Sequence, residues 1–208
     1  MRRAGHNSVR CILTTLLLGV TSMQSMATEI PDYKVVTEDG KFEVREYPEL
    51  ALVRTAAGEG DFMRLFRYIS GANESEQKIA MTAPVLMKHE GENKGMSFIV
   101  PRDVAAAKVP APKDAAVETD ELPAGRFAVY RYSGGRSKAN EREALEKLRV
   151  WSKERKIETA GEPIFGYYDP PWIPPFLRRN EVMLRISGVV RLVLSVNVST
   201  MTGTLCGA

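Results

Sequence analysis

Residues 126–132 read Arg-Phe-Ala-Val-Tyr-Arg-Tyr, and a Ser-Gly-Gly turn at 133–135 separates them from a long helical pattern. The first stretch has the alternating character of a half-buried strand. Residues 138–156 then carry apolar side chains at helical spacing, which predicts a helix. Strand patterns follow at 163–168 and 181–186. This half of the chain therefore reads β-α-β-β.

The first half of the chain shows the same order of elements. Residues 41–47 (Lys-Phe-Glu-Val-Arg-Glu-Tyr) and residues 51–55 form two strand patterns separated by Pro48. A helical segment follows, and residues 79–87 and 96–100 then predict a hairpin around a glycine-containing turn. The element order is therefore repeated, although the two halves share little residue identity.

The predicted helix of the first half begins at Asp61, a residue type that is common at the N-cap, and ends at Gly71. Its apolar residues recur at the spacing of one helical face. We expect this face to hold Phe62, Leu65, Phe66 and Ile69.

Together the two halves predict a duplicated α+β domain. An Ala- and Pro-rich stretch at 105–113 reads as the surface linker between them. We expect the halves to pack about a pseudo-twofold axis, with sheets that curve around a shared cleft. The roughly 180 residues that follow residue 27 suffice for one well-filled domain.

The N-terminus has the order of a secretory signal peptide. Arginines precede an apolar run at 11–20, and the small residues Ser25 and Ala27 suit cleavage after Ala27. The alternative is a retained membrane anchor, but the run has about half of the roughly 20 apolar residues that span a bilayer. We therefore expect residues 1–27 to be a signal peptide and the protein to be exported, either periplasmic or secreted.

Charge and cysteine content narrow the choice of partners. The chain has 29 Lys and Arg against 26 Asp and Glu. The leader contains three of those cations and none of the acids, so the remainder is balanced, and we expect no nucleic-acid partner and no stable membrane span after cleavage. Cys206 would remain without an intramolecular partner. Residues 187–208 form a tail that reads either as an added edge strand or as a poorly ordered segment.

Five motifs in a fixed order resemble the signatures of SOUL haem-binding proteins. They are Phe-Glu-Val-Arg-Glu-Tyr-Pro at 42–48, Tyr-Ile-Ser-Gly-Ala-Asn at 68–73, Lys-Ile-Ala-Met-Thr-Ala-Pro-Val at 78–85, Gly-Tyr-Tyr-Asp-Pro-Pro at 166–171 and Arg-Arg-Asn-Glu-Val at 178–182. The resemblance implies a SOUL-like domain over residues 28–186. It further implies a distorted β-barrel with two helices, similar in fold to bacterial drug-binding regulatory domains.

The resemblance also implies a non-enzymatic carrier or buffer that binds haem or another tetrapyrrole as a reversible ligand. Such a ligand needs an apolar cleft for its macrocycle and cations at the rim for its propionates. Arg67 matches a basic position proposed to meet a propionate in haem-binding relatives. The candidate ligand-binding residues are Phe62, Phe66, Arg67, Ile69, Met81 and Tyr168.

A fixed histidine ligand to iron is not expected. The early-strand position that holds a proposed histidine ligand in the family is Glu46 here, and His6 would leave with the signal peptide. His89 lies in a charged turn, where a solvated side chain is the simpler expectation. Met81 and His89 are the candidate axial ligands.

Two other functions are open from the sequence. One is a general binder of hydrophobic small molecules or lipids. The other is a hydrolase in which Glu43, Glu46 or Glu181 acts as a general base, which requires burial and a raised pKa. The chain has no Gly-x-Ser-x-Gly, HExxH or phosphate-loop motif, so we do not expect an enzyme.

Overall fold

The computed structural model of the chain describes residues 28–56, 60–91 and 94–187. The predicted signal peptide and the tail beyond Ser187 lie outside these residues. The described elements, in chain order, are β1 (Lys34–Asp39), β2 (Phe42–Tyr47), β3 (Leu50–Ala56), α1 (Asp61–Ile69), β4 (Val85–Lys88), β5 (Gly95–Ile99), α2 (Arg102–Ala107), β6 (Val117–Leu122), β7 (Gly125–Tyr132), α3 (Lys138–Glu154), β8 (Thr159–Tyr167) and β9 (Asn180–Ile186). A single 3₁₀ turn, Pro175–Leu177, precedes β9.

The strands form one antiparallel sheet in the order β1-β2-β7-β9-β8-β4-β5-β3-β6. Two units, β3-α1-β4-β5 and β7-α3-β8-β9, meet where β4 pairs with β8. Outward from this pair, the strands follow the order β4-β5-β3 in one unit and β8-β9-β7 in the other. The strand before each unit joins the other unit, because β2 pairs with β7 and β6 pairs with β3. The predicted duplicated α+β fold is confirmed. The sheet is not closed into a barrel, since the end strands β1 and β6 do not pair with each other.

Helices α1 and α3 cover one face of the sheet. Helix α1 packs on β3, β5 and β6, and α3 packs on β7, β8 and β9. The core beneath them includes Val53, Leu65, Leu148 and Phe165. The opposite face holds a second core that includes Leu52, Phe127, Ile164 and Met183. No helix in the described part of the chain is long and apolar enough to cross a membrane.

The first helix is rotated relative to the prediction. Its buried residues are Leu65, Tyr68 and Ile69, whereas Phe62 and Phe66 are exposed. Both sets have helical spacing, and the contacts of α1 with β3 and β5 select the first set. Asp61 is the first helical residue rather than the N-cap, a position taken by Gly60 in a left-handed conformation with φ of 79°.

Several strand boundaries also differ from the prediction. The predicted strand 79–87 is regular only from Val85, because its earlier backbone bonds elsewhere: the Ile79 N–H donates to the Ile69 carbonyl and the Ala83 N–H to the Glu29 carbonyl, each at 2.8 Å. The predicted linker at 105–113 begins inside the short helix α2. Strands β1 and β6 were not predicted, since both are largely exposed and lack a clear apolar alternation.

Candidate functional site

Helix α1 presents an exposed apolar surface to solvent. Phe62, Met63 and Phe66 are 43 to 51% exposed. Phe66 follows Phe62 by four residues and Met63 by three, so it neighbours both on the helix surface. The rings of Phe62 and Phe66 are stacked, with centroids 6.1 Å apart and an interplanar angle of 13°. The edge contact of Phe62 with the buried Phe98, at 5.4 Å, fixes this surface to the sheet.

A cleft of about 250 Å³ adjoins this surface along the side of α1. Three of its lining residues are cations, namely Arg64, Arg67 and Lys113. Asp114 also lines the cleft and pairs with Arg64 at 3.0 Å. The backbone N–H of Ala116, together with the Arg64 guanidinium, holds the pKa of Asp114 below its ordinary value. Lys113 pairs with Glu76 at 3.2 Å. With both pairs counted, the three cations still exceed the two carboxylates by one positive charge.

Arg67 connects the two parts of this site. Its Nε donates to the Met63 carbonyl at 3.3 Å, which keeps the guanidinium along the helix surface near the turn that carries Met63. Among the residues that the structure describes, no carboxylate lies within ion-pair distance of Arg67. The stacked rings of Phe62 and Phe66 offer a flat apolar surface, and the Arg67 guanidinium on the same helix can donate further hydrogen bonds. This combination suits a flat amphipathic anion.

The structure does not bring all of the predicted site residues together. Ile69 is buried in the core beneath α1, and Met81 is half-buried against the same core. Tyr168 lies elsewhere, because its hydroxyl donates to Glu181 of β9 at 2.8 Å. Glu181 is two residues from Met183 and shares its face of the sheet, which is opposite to the helices. Phe62, Phe66 and Arg67 are thus the predicted residues that share a surface.

A buried charge cluster occupies one end of that opposite face. The guanidinium of Arg45 donates to both oxygens of Glu181, from Nη1 at 2.8 Å and from Nη2 at 3.0 Å. Its Nε donates to Glu43 at 2.7 Å. Arg131 and Arg179 reach the same two carboxylates from more exposed positions. The cluster therefore contains three guanidinium groups and two carboxylates.

These contacts argue against the alternative in which one of the glutamates acts as a hydrolytic base. Burial alone would raise the pKa of Glu181, but the hydrogen bonds and charges of Arg45 and Arg179 outweigh burial and hold that pKa below its ordinary value. Both oxygens of Glu43 are likewise engaged by arginines. Glu46 is exposed and pairs with Arg126 at 3.2 Å. Glu181 therefore lacks the raised pKa, and Glu43 the unengaged oxygen, that a general base needs. Glu46 lacks the burial that this role requires.

His89 is exposed, as expected for its turn, and it also has two side-chain neighbours. Its Nε2 lies 2.9 Å from Oε2 of the buried Glu141, and its ring contacts Phe165 with centroids 5.3 Å apart. The hydroxyl of Tyr167 donates to the other oxygen of Glu141. Within the described residues, no group of three or more His, Cys, Asp and Glu side chains could hold a metal ion.

Part of the exposed site on α1 was not predicted from the sequence. Met63 was not predicted as a site residue, because it lies outside the predicted apolar face of α1. Arg64 and Lys113 were overlooked because nothing in the sequence indicates that residues 112–114 return to α1. The sequence indicates this surface only through spacing, since Phe66 and Arg67 follow Met63 by three and four residues.

A family model described as SOUL heme-binding protein matches residues 28–185. No curated protein matches the chain. Among solved structures, the C-terminal domain of EcmrR is 16% identical, with 76% of this chain and 99% of that chain covered and a TM-score of 0.48. A hydrolase from Listeria innocua is 13% identical, with coverages of 73% and 94% and a TM-score of 0.48. SAV2435 bound to tetraphenylphosphonium is 15% identical, with coverages of 71% and 94% and a TM-score of 0.41.

Proposed function

Because the chain belongs to the SOUL haem-binding protein family, we propose that it binds haem or a related tetrapyrrole on the exposed face of α1 and in the adjoining cationic cleft. The observation that carries this proposal is the stacked, solvent-exposed pair Phe62 and Phe66 beside Arg67. Exposed apolar surfaces on soluble proteins commonly mark ligand or partner sites. A tetrapyrrole has the matching chemistry, since it combines a flat apolar ring with anionic propionates.

The residues present fit the two ends of such a ligand. Phe62, Met63 and Phe66 would cover part of the macrocycle, and Arg67 would meet one propionate through charge-assisted hydrogen bonds. Lys113 would meet the other by exchanging its exposed pair with Glu76 for the ligand. Histidine ligation of iron has less support, because His89 is engaged by Glu141. We therefore propose reversible binding through apolar contact and propionate pairing, without a fixed histidine ligand.

We also propose that the protein acts in an exported location as a carrier or buffer. The support for export is the signal-like order of residues 1–27. The support for a carrier role is the exposure of the α1 surface, because a ligand held on an open surface can be taken up and released without opening the core.

The test is a haemin titration of the full chain, followed by the Soret absorbance. We expect a saturable change at one equivalent. Phe66→Ser should weaken binding about tenfold, because it removes most of one aromatic contact. Arg67→Glu should weaken it by a similar factor through loss of a charge-assisted hydrogen bond. Both side chains are exposed, so both variants should keep the wild-type circular dichroism.

Two matched controls lie on α3, away from the site. Val150→Ser removes an exposed apolar side chain, and Arg142→Glu reverses an exposed helical charge. Both should bind haemin as the wild type does. Binding that is equally weakened in all four variants, or that matches the affinity of an unrelated protein for haemin, would refute the proposal.

A further inference from the structure

A second exposed apolar surface lies on the loop between β8 and β9. Trp172, Phe176 and Leu177 are 64 to 79% exposed, more than any other large apolar side chain that the structure describes. We call these three residues the apolar tip. Large apolar side chains that are exposed to water lower the solubility of a protein. A group of them is therefore typical of a surface that another molecule covers.

The apolar tip is held in place by hydrogen bonds rather than by burial. The Nε of Arg178 donates to the Ile173 carbonyl at 2.7 Å, and the Gly134 N–H donates to the Pro175 carbonyl at 3.0 Å. Proline restricts the backbone further, and it occurs at positions 170, 171, 174 and 175. A preorganised loop loses little conformational entropy when the apolar tip is covered.

A cationic cleft of about 180 Å³ lies at the base of the apolar tip, beside Leu177. Its charged lining residues are all cations: Lys41, Arg131, Arg178 and Arg179. Two of these also contact the buried carboxylates of Glu43 and Glu181. Lys41 is exposed and forms no ion pair with any residue of the described ranges. The cleft has room for a group of phosphate size, and Lys41 is available to meet it.

We propose that this loop docks the protein on an anionic lipid bilayer, with the apolar tip in the interfacial layer and a lipid phosphate in the cationic cleft. Tryptophan favours the membrane–water interface, where its ring is apolar and its N–H remains wet. Lysine and arginine near an anionic leaflet add electrostatic attraction. The buried centre of a protein–protein interface is depleted of charge, whereas cations lie directly beside the apolar tip. The proposal does not depend on tetrapyrrole binding.

The fluorescence of Trp172 provides a local test. The chain has two tryptophans, and the other, Trp151, is buried with its Nε1 donating to Asp39 at 2.8 Å. The full chain is titrated with vesicles of phosphatidylcholine alone and of an equimolar mixture with phosphatidylglycerol. On the anionic vesicles we expect the emission to shift to shorter wavelength and to be quenched by bromine-labelled lipid acyl chains. Trp172→Phe should abolish both effects.

Variants separate the apolar and electrostatic contributions. Phe176→Ser combined with Leu177→Ser should weaken binding at least about tenfold, whereas Val150→Ser on α3 should not. Lys41→Gln should weaken binding to anionic vesicles about fivefold and leave binding to phosphatidylcholine unchanged. Lys34→Gln, at the far end of the β1–β2 hairpin, is the matched control and should have no effect.

Unchanged Trp172 emission with anionic vesicles would overturn the proposal. So would a spectral shift that the Phe176 and Leu177 substitutions leave intact. If the vesicle titration is flat and the same double variant dissolves an oligomer seen by sedimentation, the loop is a protein contact and the lipid proposal is wrong.

Discussion

The guanidinium of Arg45 and the carboxylate of Glu181 form a two-point ion pair between β2 and β9, with their side chains only 0% and 1% exposed. These strands are not neighbours, because β7 lies between them. The pair therefore links β2, the second strand along the chain, to β9, the last, across the face opposite to the helices. Removing either partner would leave a buried charge with fewer contacts, which is costly.

Loss of the Glu181 carboxylate should destabilise the fold. We expect Glu181→Gln to lower the free energy of unfolding by about 3 to 5 kcal/mol, because Arg45 would keep only Glu43 as an anionic partner. Urea unfolding at neutral pH measures this effect. A change below 1 kcal/mol, within the range of an exposed pair, would show that the cluster is not buried as described.

The geometry of the pair, and not only its charge, should matter. Arg45→Lys keeps the charge but cannot donate to both Glu181 oxygens and to Glu43 at once, so we expect a loss of about 2 kcal/mol. The exposed Arg126 with Glu46 offers a matched control. Arg126→Lys should change stability by less than about 0.5 kcal/mol. Equal effects of the two substitutions in urea unfolding would contradict this account.

Acid should destabilise the wild type more than the Glu181 variant. The pKa of Glu181 is lower in the folded state than its ordinary value of 4.5. The stabilisation is therefore fully present above that ordinary value and is lost as the pH falls through the folded-state pKa. Unfolding free energies measured between about pH 6 and pH 3 should fall more steeply for the wild type than for Glu181→Gln. Parallel curves would mean that Glu181 does not titrate differently in the two states.

Alkaline unfolding should be coupled to tyrosine ionisation. Burial raises the pKa of Tyr47, Tyr68 and Tyr132 to about 12, and it raises the pKa of Tyr167 and Tyr168 further. The folded state thus keeps protons that the unfolded chain releases near pH 10, so stability should fall as the pH rises from 10 towards 12. Tyrosinate absorbance and near-ultraviolet circular dichroism should change together in this range. Ionisation of all seven tyrosines in a chain that keeps its near-ultraviolet signal would contradict the burial of these five.

Substitution of the two candidate axial ligands should leave the haem spectrum unchanged. His89 is engaged by Glu141, and Met81 packs against the core. We expect His89→Ala and Met81→Leu to show the wild-type Soret band with haemin. Loss of a low-spin signature in His89→Ala would show that histidine ligates iron after all.

The duplicated fold was predictable because each unit shows its own local periodicity. The alternation at 126–132 and the helical spacing at 138–156 are properties of neighbouring residues. The exchange of β2 and β6 between units was not predictable, since it depends on pairings of strands that are distant along the chain. For the same reason, the sequence did not indicate that the sheet stays open between β1 and β6.

The candidate site was predictable only in part, for a related reason. Phe62 and Phe66 were identified, but the prediction put them on the same face as Leu65 and Ile69, which the structure buries. Lys113 reaches the cleft through a chain reversal that no local pattern indicates. Tyr168 and Arg45 lie in sequence motifs of the family, and the structure places them together in the charge cluster rather than near α1.

Mapping a tetrapyrrole onto the backbone by nuclear magnetic resonance tests the central proposal most directly. Metal-free protoporphyrin avoids iron paramagnetism and retains the ring and both propionates. We predict chemical-shift changes in the amides of residues 62–67 and of Lys113 and Asp114, with the amides of Tyr168 and Glu181 unaffected. Changes centred on Tyr168 and Glu181, with α1 unperturbed, would contradict the proposed site.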